Sequence, residues 1–543
     1  MLKLTASISA SALALLLSTG WVLAGSAGLT NDRTVLVETE GGTALVTEAV
    51  PTLLPAGEPV DGVGAAPFAA RGMGEVVWQT NVADAIYTST AIVGATGRLT
   101  AGTWLNEPRR VEVTPLDGAG VPDWTFAGTD FEAAAAADAD VIAGVDRVGT
   151  GLTLYKWHSG SSAPDWSFPV ASVDPAGYRT VAVSDDGSTI ALVVTTQPSI
   201  LARLYYFEAA SGTLLGTIDA AAGTFARNVS ISATGQYVAF VALADAYVVD
   251  TDAGTIRWSG SMGATADPLT LSGDGNTLAY GWSSLTVRHW DGAAYALSFT
   301  QTGGGFRVGS LDLSSDDGTL AVGWYRNDYL QNRVQLFDPT SSTPIWTYLY
   351  AAGTGTDQDQ PQFVELTSDG SYLAVGTWGD AGNSNPEIHI FGRTSSTPIF
   401  TVDTPGSIFG IDIREGADGV RVAACAKHVH ANTTGRGGDL YSIHLMDPAD
   451  APEPTTTARL NMHVEPNPFV PGGSITFSAP VERGVLQVVS PGGRVVRALS
   501  VAKGASSVRW DGRNDRGMEV PAGVYWLHFG GDMATGGKLV LVR

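Results

Sequence analysis

His428-Val429-His430 is the one close histidine pair in the chain. On a strand, residues two apart share a face, so both imidazoles could reach one ion. A closed metal shell needs three or four ligands and no third is evident nearby, which leaves His428 and His430 as weak metal candidates. A second constellation is aromatic. Trp104, Trp282, Trp324 and Trp378 each close an apolar run that ends in Gly and Trp. Indoles repeated around one rim could stack on sugar rings or peptide side chains. Asp146, Asp328 and Asp380 fall in the same links and could add polar contacts. The competing account is packing, because aromatic bulk at a repeated position commonly wedges neighbouring units together.

Signatures of catalysis are missing. No histidine is followed by glutamate, and there is no Gly-x-Ser-x-Gly elbow, phosphate loop or Gly-x-Gly-x-x-Gly. Asp250-Thr251-Asp252-Ala253-Gly254 resembles half of a calcium loop but fits an ordinary turn better. The single cysteine, Cys425, lies in an apolar run and reads as an inert core thiol. It rules out an intramolecular disulfide framework and any Cys-rich metal centre. With 31 Lys+Arg against 54 Asp+Glu, the net charge of −23 disfavours nucleic acid and anionic lipid as partners. No cofactor is called for.

These residues need positioning elements, and a repeat supplies them. An alternating apolar run, a Ser or Thr, an Asp-Gly-like turn and a second apolar run recur along the chain. Clear copies are Val181–Val194, Val229–Val241, Leu269–Trp282, Leu311–Trp324 and Val364–Trp378. A degenerate copy spans Ile411–Cys425, and weaker ones surround Gly97 and Ala139. Taking the turns at 97, 139, 187, 235, 275, 318, 370 and 419, the spacings run from 40 to 52 residues. That period is expected of four-stranded propeller blades. Each unit continues into a third strand and an aromatic-bearing fourth, such as Asp123-Trp124-Thr125-Phe126. The last unit lacks its fourth strand, and Glu75–Thr80 at the start has no blade before it. Pairing that segment with Leu440–Leu445 would shut a ring without exposed edges. The expectation is therefore an all-β fold with an eight-bladed β-propeller over 75–447. A seven-bladed ring is the alternative, because the unit at Ala139 lacks its Gly turn. The patterns resemble the broad WD-like and quinoprotein-like propeller superfamily. That resemblance implies a fold and not an activity. Quinoprotein enzymes often carry paired cysteines, and here Cys425 stands alone.

Residues 1–24 read as a secretory signal: Lys3, a short apolar stretch from Ile8 to Leu17, then small residues up to Ala24. No segment has 18 consecutive apolar residues, so no transmembrane segment is expected in the mature chain. Residues 25–74 form an Ala/Gly/Pro-rich leader or linker that could pair one strand onto a neighbour. Residues 448–459 form a Pro/Thr-rich linker. Residues 460–543 contain seven short strands separated by turn signals, which reads as an Ig-like β-sandwich. Asn467-Pro468-Phe469, Gly493-Arg494, Trp510-Asp511-Gly512 and Gly523-Val524-Tyr525 occur there in order. This stretch resembles the Ig-like domain of flagellar hook-capping proteins and the C-terminal sorting domains of type IX secretion. The resemblance implies export machinery as a partner and attachment at a Gram-negative-type bacterial surface, or secretion. Asp511 and Asp515 are better explained as turn caps than as calcium ligands. Together these features predict an exported, non-enzymatic propeller that binds a glycan or a protein. A carbohydrate-active enzyme using carboxylates in the propeller funnel, and a structural surface or adhesion component, are the alternatives.

Overall fold

The computed structural model describes residues 32–39, 42–49, 71–72, 74–446 and 462–542. Within these, 105–107, 175–179, 264–267, 327, 329, 354–358, 417–418, 431–436, 466, 482–483, 491–494, 503–504, 515 and 530–531 are not described. The segment 1–24 expected to be a signal, most of 25–74, the segment 448–459, and Gly493 and Arg494 lie outside the described residues. The chain divides into two compact units, Met1–Pro448 and Ala449–Arg543. Among the described residues no helix is long and apolar enough to cross a membrane.

The first unit is all-β and built from four-stranded antiparallel sheets, the pattern of propeller-like blades. In chain order, the first sheet holds Ile86–Ile92, Arg98–Trp104, Arg110–Pro115 and Trp124–Ala127. The second opens with Phe131–Ala135, the third, which has five strands, with Val173–Asp174 and Val181–Val183, and the fourth with Ala226–Ile231. The fifth, sixth and seventh open with Leu269–Leu271, Phe306–Leu313 and Pro361–Leu366. The eighth runs Ile408–Gly416, Gly419–Lys427, Gly438–Met446 and then Gly74–Val82, whose partner register runs from Gly438↔Val82 to Leu445↔Gly74. Two leader segments, Asp32–Thr39 and Gly42–Ala49, pair as a hairpin. Arg71–Gly72 adds a short fifth strand to Phe400–Val402 of the seventh sheet.

Local chemistry explains the repeated turn. In Ser184-Asp185-Asp186-Gly187, the Ser184 hydroxyl accepts a hydrogen bond from Thr189 N at 3.0 Å and donates to Asp186 Oδ1 at 2.7 Å. Ser272, Ser314 and Thr367 repeat this with Thr277, Thr319 and Tyr372. The residue after the aspartate needs positive φ, which Gly187, Gly275 and Gly370 adopt at 66–71°. In the sixth sheet the turn sits one residue earlier than expected. Asp317 takes the left-handed position, at φ 61°, and Gly318 does not. The second sheet turns without a left-handed residue at Ala139, so its weak match to the repeat reflects a different turn.

Neighbouring sheets are tied through their first strands. The edge N–H groups of these strands would otherwise lie unpaired in the interior. Ser89 Oγ accepts Ala133 N, Ser230 Oγ accepts Leu271 N, Asp312 Oδ2 accepts Leu366 N, and Asp412 Oδ2 accepts Ile92 N, all at 2.7–3.0 Å. Apolar faces fill the gaps between the sheets, as where Leu285, Val287 and Phe299 of the fifth meet Val308, Leu320 and Trp324 of the sixth. Cys425 is fully buried there too, facing the first sheet, and burial pushes its thiol pKa up.

The second unit has a three-stranded sheet (Met462–Glu465, Ser474–Val481, Ala505–Arg509) and a four-stranded one built around Gly484–Val489 and Gly523–Phe529. One core includes Phe469, Ile475, Trp510, Tyr525 and Leu539. Tyr525 OH donates to Pro521 O at 2.7 Å, tying its strand to the turn just before it. The described motif residues have local structural duties. The Asn467 side chain donates to Lys538 O and accepts Val540 N, so it acts as a strand partner. Trp510 Nε1 donates to Arg513 O, Asp511 Oδ1 accepts Arg513 N, and Gly512 supplies φ 71°.

Candidate binding site

The four rim tryptophans do not share one environment. Trp324 is 0% exposed and packs between the fifth and sixth sheets, so it offers no face to a ligand. For Trp324 this is the packing account, an indole wedged between neighbouring sheets. The period-two alternation of a strand places Trp324 on a face, and the neighbouring sheet covers that face. Trp104, Trp282 and Trp378 remain half-buried. Trp282 O accepts Val308 N at 2.7 Å, which fixes its backbone at the seam with the sixth sheet.

Two of the three aspartates are also committed to the fold. Asp146 Oδ1 accepts Thr129 N and Asp130 N at 2.8 and 2.9 Å, capping the link into the second sheet. Asp380 is fully buried and caps its own loop through Gly382 N, Ser384 N and Ser384 Oγ. Asp328 is exposed, pairs with Arg326 at 3.0 Å and accepts Leu330 N. Asp146 Oδ1 is thus engaged by two backbone N–H groups, and Asp380 by two backbone N–H groups and one hydroxyl.

His428 and His430 do not converge. His428 Nδ1 meets the fully buried Asp439 Oδ2 at 2.7 Å, and this hydrogen bond raises its pKa. Asp439 also accepts Asn81 and Gln79 of the Gly74–Val82 strand, so this cluster fastens the two ends of the eighth sheet. His430 packs against Gly379, beside Glu387, and burial lowers its pKa. Among the described residues no group of three or more His, Cys, Asp or Glu is set to hold a metal ion.

What the structure does gather lies at the seam of the fifth and sixth sheets, and sequence reading missed it. The Arg307 guanidinium lies 4.6 Å over the Trp282 ring. Arg333 is held between the Phe306 and Trp324 rings, at 4.4 and 4.5 Å. Arg333 Nη2 reaches Gly303 O at 3.4 Å, beside the bare backbone of Gly304 and Gly305. Arg307 Nη1 and Arg333 Nε are buried without a hydrogen-bond partner. Burial lowers the Arg333 pKa to about 10, with no other influence acting on it. The available signal was the Gly303-Gly304-Gly305-Phe306-Arg307 run, which places a cation at the start of a strand in an acidic chain.

A second polar feature is a cavity of about 150 Å³ lined by Asp185, Asp312, Glu365, Ser315 and Arg414, among others. Ser315 Oγ donates to Asp185 Oδ2 at 2.5 Å, joining the third and sixth sheets across it. Burial raises Asp312 to about 7 and also raises Asp412. Arg414 loses solvation by burial, yet Asp412, Asp185, Glu365 and Asp312 around it hold its pKa up. The chain matches no known protein family, and no curated protein matches it.

Proposed function

We propose that this chain is an exported, non-enzymatic binding protein whose first unit is a closed eight-bladed propeller and whose ligand is a glycan. The observation that carries the binding reading is the fifth–sixth seam. There Arg307 stacks on the half-buried Trp282 indole, and Arg333 on the half-buried Phe306 ring and on Trp324. Aromatic faces suit the C–H faces of sugar rings, and fixed polar groups orient the hydroxyls.

Ring closure is supported by a cyclic order of contacts. Each first strand meets the next, and Ile408–Gly416 of the eighth sheet meets Ile86–Ile92 of the first. The fourth-strand tryptophans add to this. Trp124, Trp166 and Trp346 each donate Nε1 to a carbonyl of the following sheet, and Trp78 of the eighth does the same to Pro115 O of the first. The likeness to WD-like and quinoprotein-like propellers is part of this proposal. So are the secretory signal at 1–24, the sorting role of the C-terminal unit and a place at a Gram-negative-type cell surface.

An array of glycans and proteins probed with the full chain tests the reading. Binding to a glycan, lost in Trp282→Ala with the melting temperature kept, supports it. No glycan bound by the wild-type chain refutes it. For the tail, residues 460–543 fused to a soluble reporter should reach the surface of a host with type IX export, and a periplasmic reporter removes the sorting role. The enzyme reading has one observation in its favour, the acidic cavity with Asp312 near neutrality. Against it stand the small volume of that cavity, about 150 Å³, and the use of Asp185 by Ser315 and of Asp312 by Leu366 N. Polysaccharide cleavage abolished by Asp312→Asn would restore that reading.

A further inference from the structure

We propose that the fifth–sixth seam selects acidic polysaccharide, with Arg307 and Arg333 receiving its carboxylates or sulfates, an inference that rests on the glycan-binding reading above. Among the described residues, neither guanidinium has a carboxylate within ion-pairing distance, although acids outnumber bases by 23 in the whole chain. Nearby Arg326 differs, since Asp328 neutralises it at 3.0 Å. A half-buried cation without a counter-ion is costly, and an anion arriving at the seam would remove that cost.

Stacking fixes the geometry. Arg307 on Trp282, and Arg333 between Phe306 and Trp324, are held by their planes, and Arg307 Nη1 and Arg333 Nε have no acceptor, while Arg333 Nη2 is given to Gly303 O. A guanidinium edge matches the two oxygens of a carboxylate or sulfate. The half-buried Trp282 and Phe306 rings beside them suit the apolar face of the same sugar. Three glycines, Gly303–Gly305, border the site and present backbone without side chains. The acidic surface elsewhere does not bar such a ligand. Screening confines charge effects to ~8 Å in physiological salt. An acidic polysaccharide also carries at most one or two charges per sugar, sparser than the one per ~1.7 Å of duplex DNA.

The experiment measures binding of the full chain to polygalacturonate, heparin and neutral dextran at two salt concentrations. Expected is binding to polygalacturonate or heparin that weakens with salt, with dextran at least tenfold weaker. Arg307→Gln and Arg333→Gln should each weaken acidic-chain binding by about tenfold or more. Arg307→Lys should recover part of the loss. Arg203→Gln, whose guanidinium is paired with Asp219 on the third sheet, should change nothing. If Arg333→Gln fails to fold, Arg307→Gln, which contacts a single ring, decides the matter. Dextran bound as tightly as the acidic chains, or acidic chains bound unchanged by Arg307→Gln, overturns this inference while glycan binding stands. A wild-type chain that binds none of the three, with Arg307→Gln lowering only the melting temperature, makes the stacks packing alone and overturns the inference as well.

Discussion

A single hydroxyl organises each repeated turn. Ser272 is fully buried, accepts Thr277 N at 2.9 Å and donates to Asp274 Oδ1 at 2.7 Å. Ser272→Ala strands the Thr277 N–H in a site that is 2% exposed. The expected loss is about 1–3 kcal/mol of unfolding free energy, the cost of an unsatisfied buried donor, read by urea denaturation. The Ser-x-Asp-Gly phrase is visible in sequence because turn chemistry is local. That Asp317, not Gly318, takes the positive φ is not visible, because Asp and Gly both tolerate that conformation and the flanking strands set the register. The rim residues failed for a related reason. Trp282 and Trp324 occupy the same sequence position, and only the packing of the adjacent sheet makes one half-exposed and the other buried.

At the scale of the strand, the fourth position of each sheet does two jobs. Its tryptophans reach the next sheet, as where Trp124 Nε1 donates to Ser159 O at 2.7 Å. Trp124→Phe keeps most of the ring and removes the donor, so the expected loss is about 1–2 kcal/mol with an unchanged denaturant slope. An unchanged midpoint would show that the carbonyl finds water instead. Several fourth strands also carry a register shift, after Tyr206, Val248, Val287, Leu336 and Ser442 on their partners. Such bulges twist an outer edge away from pairing with other chains. The aromatic fourth strands are legible from composition. Their bulges are not, because one extra residue in a short strand leaves no compositional trace.

Across the whole molecule, burial raises several carboxyl groups together. Glu387 stands at about 9, Asp312 at about 7, and Asp130 and Asp359 at about 6, with burial the largest cause in each case. For an acid, a folded value above the unfolded one means that the fold favours the protonated form. Stability from these groups is therefore full below their unfolded pKa of ~4 and lost as pH rises through the folded values. Other acids work in the opposite sense. Asp369, against its burial, is held at about 2 by Glu415, Ser371 and Thr367, and its contribution is lost as pH falls below ~4. The melting temperature should thus peak at roughly pH 4–6 and fall toward pH 9. Glu387→Gln should flatten the alkaline side, since the amide keeps an oxygen for Thr404 N and has no proton to lose. A profile that rises from pH 6 to pH 9 would contradict this account.

The order of amino acids alone determined the period of the repeat, the strand character of each segment and the split between the first and last pieces of the eighth sheet. Those features rest on turn chemistry and on alternation, which act over a few residues and leave a pattern in the chain. Only the tertiary structure decided which tryptophans face solvent, which aspartates are spent on backbone N–H groups, and that Arg307 and Arg333 each stack on aromatic rings. These depend on what lies across a gap between sheets, and a period of two specifies a face without specifying its neighbour.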